Sequence, residues 1–121
     1  MQYTTVEGYV EWYAARKGPA WASTGNNVVS CRRRAKWYVP YYNRYHWVCA
    51  GCACTLNPAI AQIDHVHNNG NEERAANPTM KSEQLAQRIV ETGDYDNYQP
   101  LCASCNSYKR AFGVLPNEHG D

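Results

Sequence analysis

The clearest chemistry in this chain belongs to four cysteines arranged as two CxxC pairs. Cys49 and Cys52 form the first pair, and Cys102 and Cys105 form the second. A tight turn presents two thiols at this spacing to one metal ion, and four thiolates in a tetrahedron are a common structural zinc site. Four thiolates leave no open position for water, so we predict a structural zinc whose loss unfolds the chain.

A fifth cysteine keeps one ligand assignment open. Cys54 lies close to the first pair, and Cys54 in place of Cys52 is the alternative ligand. We favour Cys52 because only the CxxC spacing matches the second pair. Cys31 has no partner at metal-binding spacing, and we interpret it as an ordinary thiol.

Between the two CxxC pairs lies the segment IDHVH, residues 63–67, which contains the only Asp-His pair of the chain. Adjacent side chains of a regular strand point to opposite faces, so Asp64 and His65 can serve one site only if the strand ends or twists there. We predict that it does. The alternative is an ordinary hydrogen-bonded strand end.

A polar cluster follows the second CxxC pair. Asn106 comes directly after Cys105, and Lys109 lies one turn further along a helix predicted over residues 103–112 and ended by Gly113. Exposed N–H groups and the helix macrodipole favour an anion at such an N-terminus. The amide and the cation therefore indicate a site for a phosphate.

Residues 28–47 mix cations with aromatic rings. The net charge is only +1, but residues 12–63 hold seven Lys or Arg and no Asp or Glu. Cations neutralise phosphates and rings stack on bases, so we expect this basic arm to contact nucleic acid. The alternative, which is compatible with the first, is that the rings build a small core and the cations form its solvated face. The expected contacts are Arg32, Arg33, Arg34, Lys36 and Arg44.

The elements that position these residues are predicted from local patterns. Thr4 with Glu7 fits a capping box for a first helix that Gly18 ends. Residues 20–27 are rich in Gly, Ser and Asn and are typical of a loop, and residues 59–66 are strand-like. A second helix opens at Asn77-Pro78 and closes at Gly93.

These elements predict one small α+β domain of 121 residues. Residues 1–48 would form the N-terminal helix and the basic arm, 49–113 the core, and 114–121 a C-terminal tail. No basic segment followed by an apolar run opens the chain, which favours a reducing cytoplasm over a disulfide scaffold. No apolar run approaches the ~18 residues that span a bilayer, so we expect no membrane partner.

The order of CxxC, IDHVHNNG, a polar gap and YQPLCASCNSYKR resembles the HNH endonucleases of the ββα-metal (His-Me finger) class. It is most similar to phage-type members related to recombination endonuclease VII, which have a zinc-knuckle frame. The resemblance covers residues 49–112. It implies a ββα-metal core stapled by a four-cysteine zinc, with an inserted helix around residues 78–92. It also implies a DNA endonuclease and, for a phage-encoded protein, the host-cell cytoplasm.

The resemblance assigns roles to four residues. It makes His65 the general base and Asp64 a ligand of the catalytic ion. Asn106 matches the third letter of the motif and would be the second ligand. Asn97 matches the middle letter, which braces the hairpin loop. Because Asn106 replaces a histidine, an oxygen-preferring ion such as Mg²⁺ or Mn²⁺ is favoured.

The same resemblance implies hydrolysis of a phosphodiester bond to 5′-phosphate and 3′-hydroxyl ends. Lys109 and Arg110 would hold the flanking DNA backbone. His67 is either a phosphate contact or part of the turn after the strand. The rival function is a zinc-stabilised nucleic-acid-binding module that has lost catalysis.

Overall fold

A two-stranded antiparallel sheet followed directly by a helix carries the candidate site, and a helical layer supports it. The computed structural model describes residues 2–66 and 81–116. Short 3-10 turns lie at Gln2–Thr4 and Tyr95–Asn97. The small mixed α+β architecture confirms the predicted class. In chain order the elements are α1 (Val6–Lys17), α2 (Pro19–Ala22), α3 (Gly25–Arg44), β1 (Ala61–His65), α4 (Ser82–Thr92), β2 (Tyr98–Cys102) and α5 (Ala103–Phe112).

Helix α1 is capped one residue later than predicted. Thr5, not Thr4, is the N-cap, and its Oγ1 accepts a hydrogen bond of 3.0 Å from the amide of Gly8. The predicted capping box is therefore wrong. Gly18 ends the helix as predicted, with a φ of 97° that favours glycine.

The loop predicted over residues 20–27 is also wrong. Pro19 opens α2, a position where its missing N–H is not needed, and Gly25 opens α3. The hydroxyls of Ser23 and Thr24 each donate to the carbonyl of Ala20 at 3.1 Å. These polar side chains satisfy a helix end, which is why a loop-like composition here accompanies helical turns.

Helix α3 contributes several residues of the basic arm to the hydrophobic core. Cys31, Ala35, Val39, Tyr41 and Tyr42 are buried along it. The ring of Trp47, just beyond its end, lies 4.9 Å from that of Tyr42. The rings of Tyr41, Tyr42 and Trp47 are therefore part of the core, as the core interpretation expected.

Helix α4 packs against α3 through buried Ala86 and Ile89. It begins at Ser82 with Lys81 as its N-cap, while the predicted start at Asn77-Pro78 lies outside the described residues. Gly93 closes it in the left-handed conformation, with a φ of 74°, as predicted.

The pairing of β1 with β2 sets the geometry of the candidate site. Ala61 lies opposite Cys102 at one end, and His65 lies opposite Tyr98 at the other. Strand β1 ends at His65, as predicted. Cys102 also caps α5, so β2 passes directly into the helix.

Helix α5 ends at Gly113, whose φ is 80°, as predicted. Leu115, assigned to the C-terminal tail, is instead buried in the core with 4% of its surface exposed. The tail therefore does not begin at residue 114. Within residues 2–66 and 81–116, no helix has the length and apolar character needed to cross a bilayer.

Candidate functional site

Five thiols meet beside the start of α5. The sulfurs of Cys49, Cys52, Cys54 and Cys102 all lie within 4.8 Å of one another. The thiol of Cys105 interacts with those of Cys102, Cys49 and Cys52. The Sγ atoms of Cys52 and Cys102 are 3.9 Å apart, and a tetrahedral zinc with bonds near 2.3 Å requires about 3.8 Å. The cluster can therefore hold a metal such as zinc.

Backbone amides donate hydrogen bonds to sulfurs of this cluster and so favour the thiolate form. The amides of Gly51 and Cys102 each donate to Cys49 Sγ at 3.3 Å, and that of Cys105 donates to Cys102 Sγ at 3.4 Å. Burial raises the pKa of Cys49, but amide hydrogen bonds from Cys52, Cys102 and Gly51 outweigh it and lower the pKa to about 6. Thiolate is the form that binds zinc, so Cys49 is well suited as a ligand.

Gly51 brings the two CxxC segments into close contact. A Cβ at this position would lie 2.8 Å from Cys105 Sγ and 3.0 Å from Cys105 Cβ. Only glycine leaves room for that sulfur without a shift of the backbone or of Cys105. The turn at Cys49–Cys52 and the first turn of α5 are therefore packed against each other.

The fourth ligand is either Cys54 or Cys105. The four predicted cysteines all lie in the cluster, but the group with mutually close sulfurs includes Cys54 and omits Cys105. The hydrogen bond with Cys52, followed by burial, raises the pKa of Cys54 to about 12. Burial, followed by the thiol of Cys102, raises the pKa of Cys105. Both candidates would have to lose a proton to bind zinc.

The sequence offered Cys54 only as the alternative to Cys52, because the position of Cys54 depends on the turn that precedes it. Ala53 has a φ of 63°, in the left-handed region. The chain consequently folds back, and the amide of Cys49 donates to the carbonyl of Cys54 at 2.9 Å. This turn returns Cys54 to the cluster.

A buried ion pair forms at the end of β1. Lys109 Nζ lies 2.5 Å from Asp64 Oδ2, and the Lys109 side chain is only 5% exposed. Gln99 Nε2 donates to the same oxygen at 2.9 Å. Lys109 was expected on the DNA backbone, but its ammonium is directed into the protein. That expectation is corrected, since the charge is already matched by Asp64.

The second predicted ligand lies at the same interface. The Asn106 amide donates to the side-chain oxygen of Gln62. Gln62 and Asp64 share a face of β1, and Asn106 and Lys109 share a face of α5. Packing of α5 on β1 thus brings Asp64 and Asn106 to one interface. A carboxylate and amides supply the oxygen donors that Mg²⁺ or Mn²⁺ prefers, so the donor set fits such an ion.

The His65 side chain lies on the face of β1 opposite to that of Asp64. It pairs with Tyr98, whereas Asp64 pairs with Gln99, and neighbouring positions of a strand alternate. The centroid of the His65 ring lies 5.1 Å from that of Tyr98. The strand therefore ends where predicted, and the imidazole packs along Tyr98.

Asn97 lies just before β2 and extends the pairing of the sheet. Its carbonyl accepts a hydrogen bond of 3.0 Å from the amide of Val66, one residue beyond β1. Its side chain donates to Asp94 Oδ1 at 2.6 Å. This position joins the end of β1 to the turn that leads into β2. His67 lies outside the described residues.

Two cations of the basic arm are paired with acids of neighbouring helices. Arg32 donates to both carboxylate oxygens of Glu7 in α1, at 2.7 and 3.1 Å. Arg33 Nε donates to both carboxylate oxygens of Glu83 in α4, at 3.1 and 3.2 Å. These exposed pairs tie α3 to its neighbours, and each contributes little stability in water.

Two other cations of the basic arm lie over aromatic rings. Lys36 lies over the ring of Trp37 at 5.0 Å, and Arg44 lies over that of Tyr95 at 5.4 Å. Arg34 is half-buried. Arg110, the other cation expected to contact DNA, is exposed on α5.

Gln62 and Gln99 were not identified from the sequence, although both hydrogen-bond a predicted ligand. Gln62 could have been found from its two-residue spacing from Asp64, which places both on one face of a strand. Gln99 gave no such signal, because only the strand register brings it opposite Asp64.

Comparison of the chain with protein-family models, with curated proteins and with solved structures finds no match.

Proposed function

We propose that this protein is a metal-dependent DNA endonuclease of the HNH type. Asp64 and Asn106 would hold one Mg²⁺ or Mn²⁺, and His65 would act as general base. The observation that carries the proposal is the packing of α5 on β1, which joins Lys109 to Asp64 and Asn106 to Gln62 across one interface. The carboxylate stands at the end of a strand and the amide in the first turn of a helix, immediately after the thiol cluster.

The thiol cluster supports this proposal because it ties down both elements that carry these ligands. Cys102 lies opposite Ala61 at the start of β1 and is also the cap of α5. Cys49 accepts the amide hydrogen of Cys102. A zinc held here would fix the start of β1 and of α5 together. The bound zinc would then restrict changes in the distance between Asp64 and Asn106.

The proposed chemistry is hydrolysis of a phosphodiester bond. His65 accepts the proton of a water molecule that attacks phosphorus, a role worth about 10²–10⁴ in rate. A divalent ion, when bound, neutralises charge on the phosphate and on the departing 3′ oxygen. Asp64 and Asn106 would hold that ion, and Gln99 and Gln62 hold their side chains through the hydrogen bonds described above.

The basic arm would supply affinity that does not depend on DNA sequence. Lys36, Arg34 and Arg44 are not paired with an acid in the described contacts and lie at or near the surface. Arg32 and Arg33 already face Glu7 and Glu83, so a phosphate would have to compete with those carboxylates. We therefore propose a moderate contribution from this arm, weakened by salt.

Cleavage of supercoiled plasmid by zinc-loaded protein, with and without added Mg²⁺ or Mn²⁺, tests the function. His65→Ala should abolish most cleavage but retain DNA binding, and extra metal should not restore it. Asn106→Ala should be partly rescued by high Mn²⁺, because it removes a ligand and not the base. His46→Asn is the matched control, since His46 is exposed after α3 and its φ of 58° suits asparagine. Near wild-type cleavage by His65→Ala would rule out the proposed base.

The alternative is a nucleic-acid-binding module without catalysis. One observation favours it: the Asp64 carboxylate is already neutralised by Lys109 at 2.5 Å. In that case the plasmid would be bound and shifted in a gel at every metal concentration but never nicked. A plasmid nicked only when metal is added excludes this alternative.

A further inference from the structure

Lys109 occupies a small cage of oxygen atoms that is built for a cation. Its ammonium donates to Asp64 Oδ2 at 2.5 Å, to the carbonyl of His65 at 2.6 Å and to that of Val66 at 3.4 Å. An ammonium has three N–H donors, and each has an acceptor here. With 5% exposure, the charge is held by these oxygens and not by water.

A carboxylate with two backbone carbonyls is also the kind of donor set that binds a hard divalent ion. We propose that Lys109 is an internal competitor for that ion: in the metal-free protein its ammonium holds the cation position at Asp64, and a divalent ion binds only by displacing it from Oδ2. The inference rests on the proposed function in one respect, the role of Asp64 as a ligand.

The competition follows from charge and crowding at a single oxygen. Asp64 Oδ2 already accepts from both Lys109 and Gln99. A divalent ion beside an undisplaced ammonium would face strong repulsion, because water cannot screen charges at a buried site. Lys109 therefore keeps Asp64 ordered without metal, and it also lowers the apparent affinity for the metal.

The first test compares Mn²⁺ binding to the zinc-loaded full chain, measured by electron paramagnetic resonance of free Mn²⁺. Lys109→Met removes the charge but keeps a long side chain, and it should tighten Mn²⁺ binding by about tenfold or more. Arg110→Met is the matched control, because it removes a charge from the next position of α5 without touching Asp64. Its affinity should change by less than about threefold. Equal or weaker binding by a folded Lys109→Met overturns the inference.

A second test needs no variant. The chain has only four lysines, Lys17, Lys36, Lys81 and Lys109. Proton exchange from a buried, hydrogen-bonded ammonium is slow, so ¹⁵N-labelled lysine should give a distinct Lys109 ammonium signal. Saturating Mg²⁺ should shift or broaden this signal and leave those of the other lysines unchanged. A Lys109 signal that stays constant while the Asp64 backbone amide shifts with Mg²⁺ overturns the displacement.

These outcomes separate the inference from the proposed function. Tighter Mn²⁺ binding by Lys109→Met in a protein that never cleaves plasmid supports the competitor and removes the nuclease. Metal-dependent cleavage with unchanged Mn²⁺ affinity in Lys109→Met supports the nuclease and refutes the competitor. If neither protein binds Mn²⁺ at millimolar concentration, the competitor is refuted whatever the plasmid assay shows.

Discussion

Replacement of single cysteines by serine decides which thiols hold the zinc. We predict that Cys105→Ser loses high-affinity zinc and that Cys54→Ser keeps it. Cys105 is buried, whereas Cys54 is partly open to water. Cys105 also lies in the first turn of α5, where the helix macrodipole favours a negative charge. Cys54 lies outside any helix. Because the pKa values of both thiols are raised, the deeper burial of Cys105 and its place in α5 decide the prediction.

The expected magnitude follows from the energy of zinc binding. Structural zinc binds to small peptides with about 10–16 kcal/mol, which is about 2.5–4 kcal/mol for each of four thiolates. Loss of one true ligand should therefore weaken zinc affinity by about 10²–10³-fold. Loss of a thiol that does not bind zinc should change zinc affinity by less than about threefold. The two variants thus differ by a margin that ordinary assays resolve.

Competition with a chromophoric zinc chelator measures both affinities, and elemental analysis gives the stoichiometry. Cys31→Ser is the control, because Cys31 is a fully buried thiol on α3 outside the cluster. It should lower stability but keep one zinc per chain. The reasoning is refuted if Cys54→Ser releases zinc while Cys105→Ser retains it. In that case the mutually close sulfurs, and not burial or the helix terminus, identify the ligands.

Three further changes test the packing of the site and the basic arm. Gly51→Ala should destabilise the protein by about 1–3 kcal/mol in urea unfolding, because its Cβ meets a buried sulfur at 2.8 Å; Gly25→Ala has open space at the start of α3 and should be neutral or slightly stabilising. Asp64→Ala leaves the Lys109 ammonium buried without its carboxylate and should destabilise the protein by about 3–5 kcal/mol, with a smaller loss for Asp64→Asn. Equal urea midpoints for Asp64→Ala and wild type would contradict the buried pair. Alanine at all three arginines of residues 32–34 should reduce the slope of log affinity against log salt by about 0.9 for each phosphate that the arm no longer neutralises. An unchanged slope would assign those arginines to their ion pairs alone.

The sequence alone determined the features that depend on neighbouring residues. Gly18, Gly93 and Gly113 end α1, α4 and α5 as predicted, because a left-handed or otherwise unusual backbone angle selects glycine whatever the surroundings. The two CxxC pairs predicted a thiol cluster, because that spacing presents two sulfurs to one point. The small α+β class followed from the same local signals.

Short-range patterns were less reliable where two outcomes differ by little free energy. Thr4 and Thr5 are both good caps, and only the structure shows that Thr5 is used. Residues 20–27 have the composition of a loop, yet hydroxyls and Pro19 favour helical turns there. Composition indicates which backbone conformations a segment can adopt, and tertiary packing determines which of them is adopted.

Only the tertiary structure decided which side chains meet across the site. The register of β1 on β2 places Gln99 opposite Asp64 and directs His65 toward Tyr98, and a shift by one residue would exchange those faces. The pairing of Lys109 with Asp64 joins positions 45 apart in the chain. No local preference encodes such a contact, because the two opposite charges are brought together only where α5 packs on the sheet, and their attraction there offsets the cost of removing them from water.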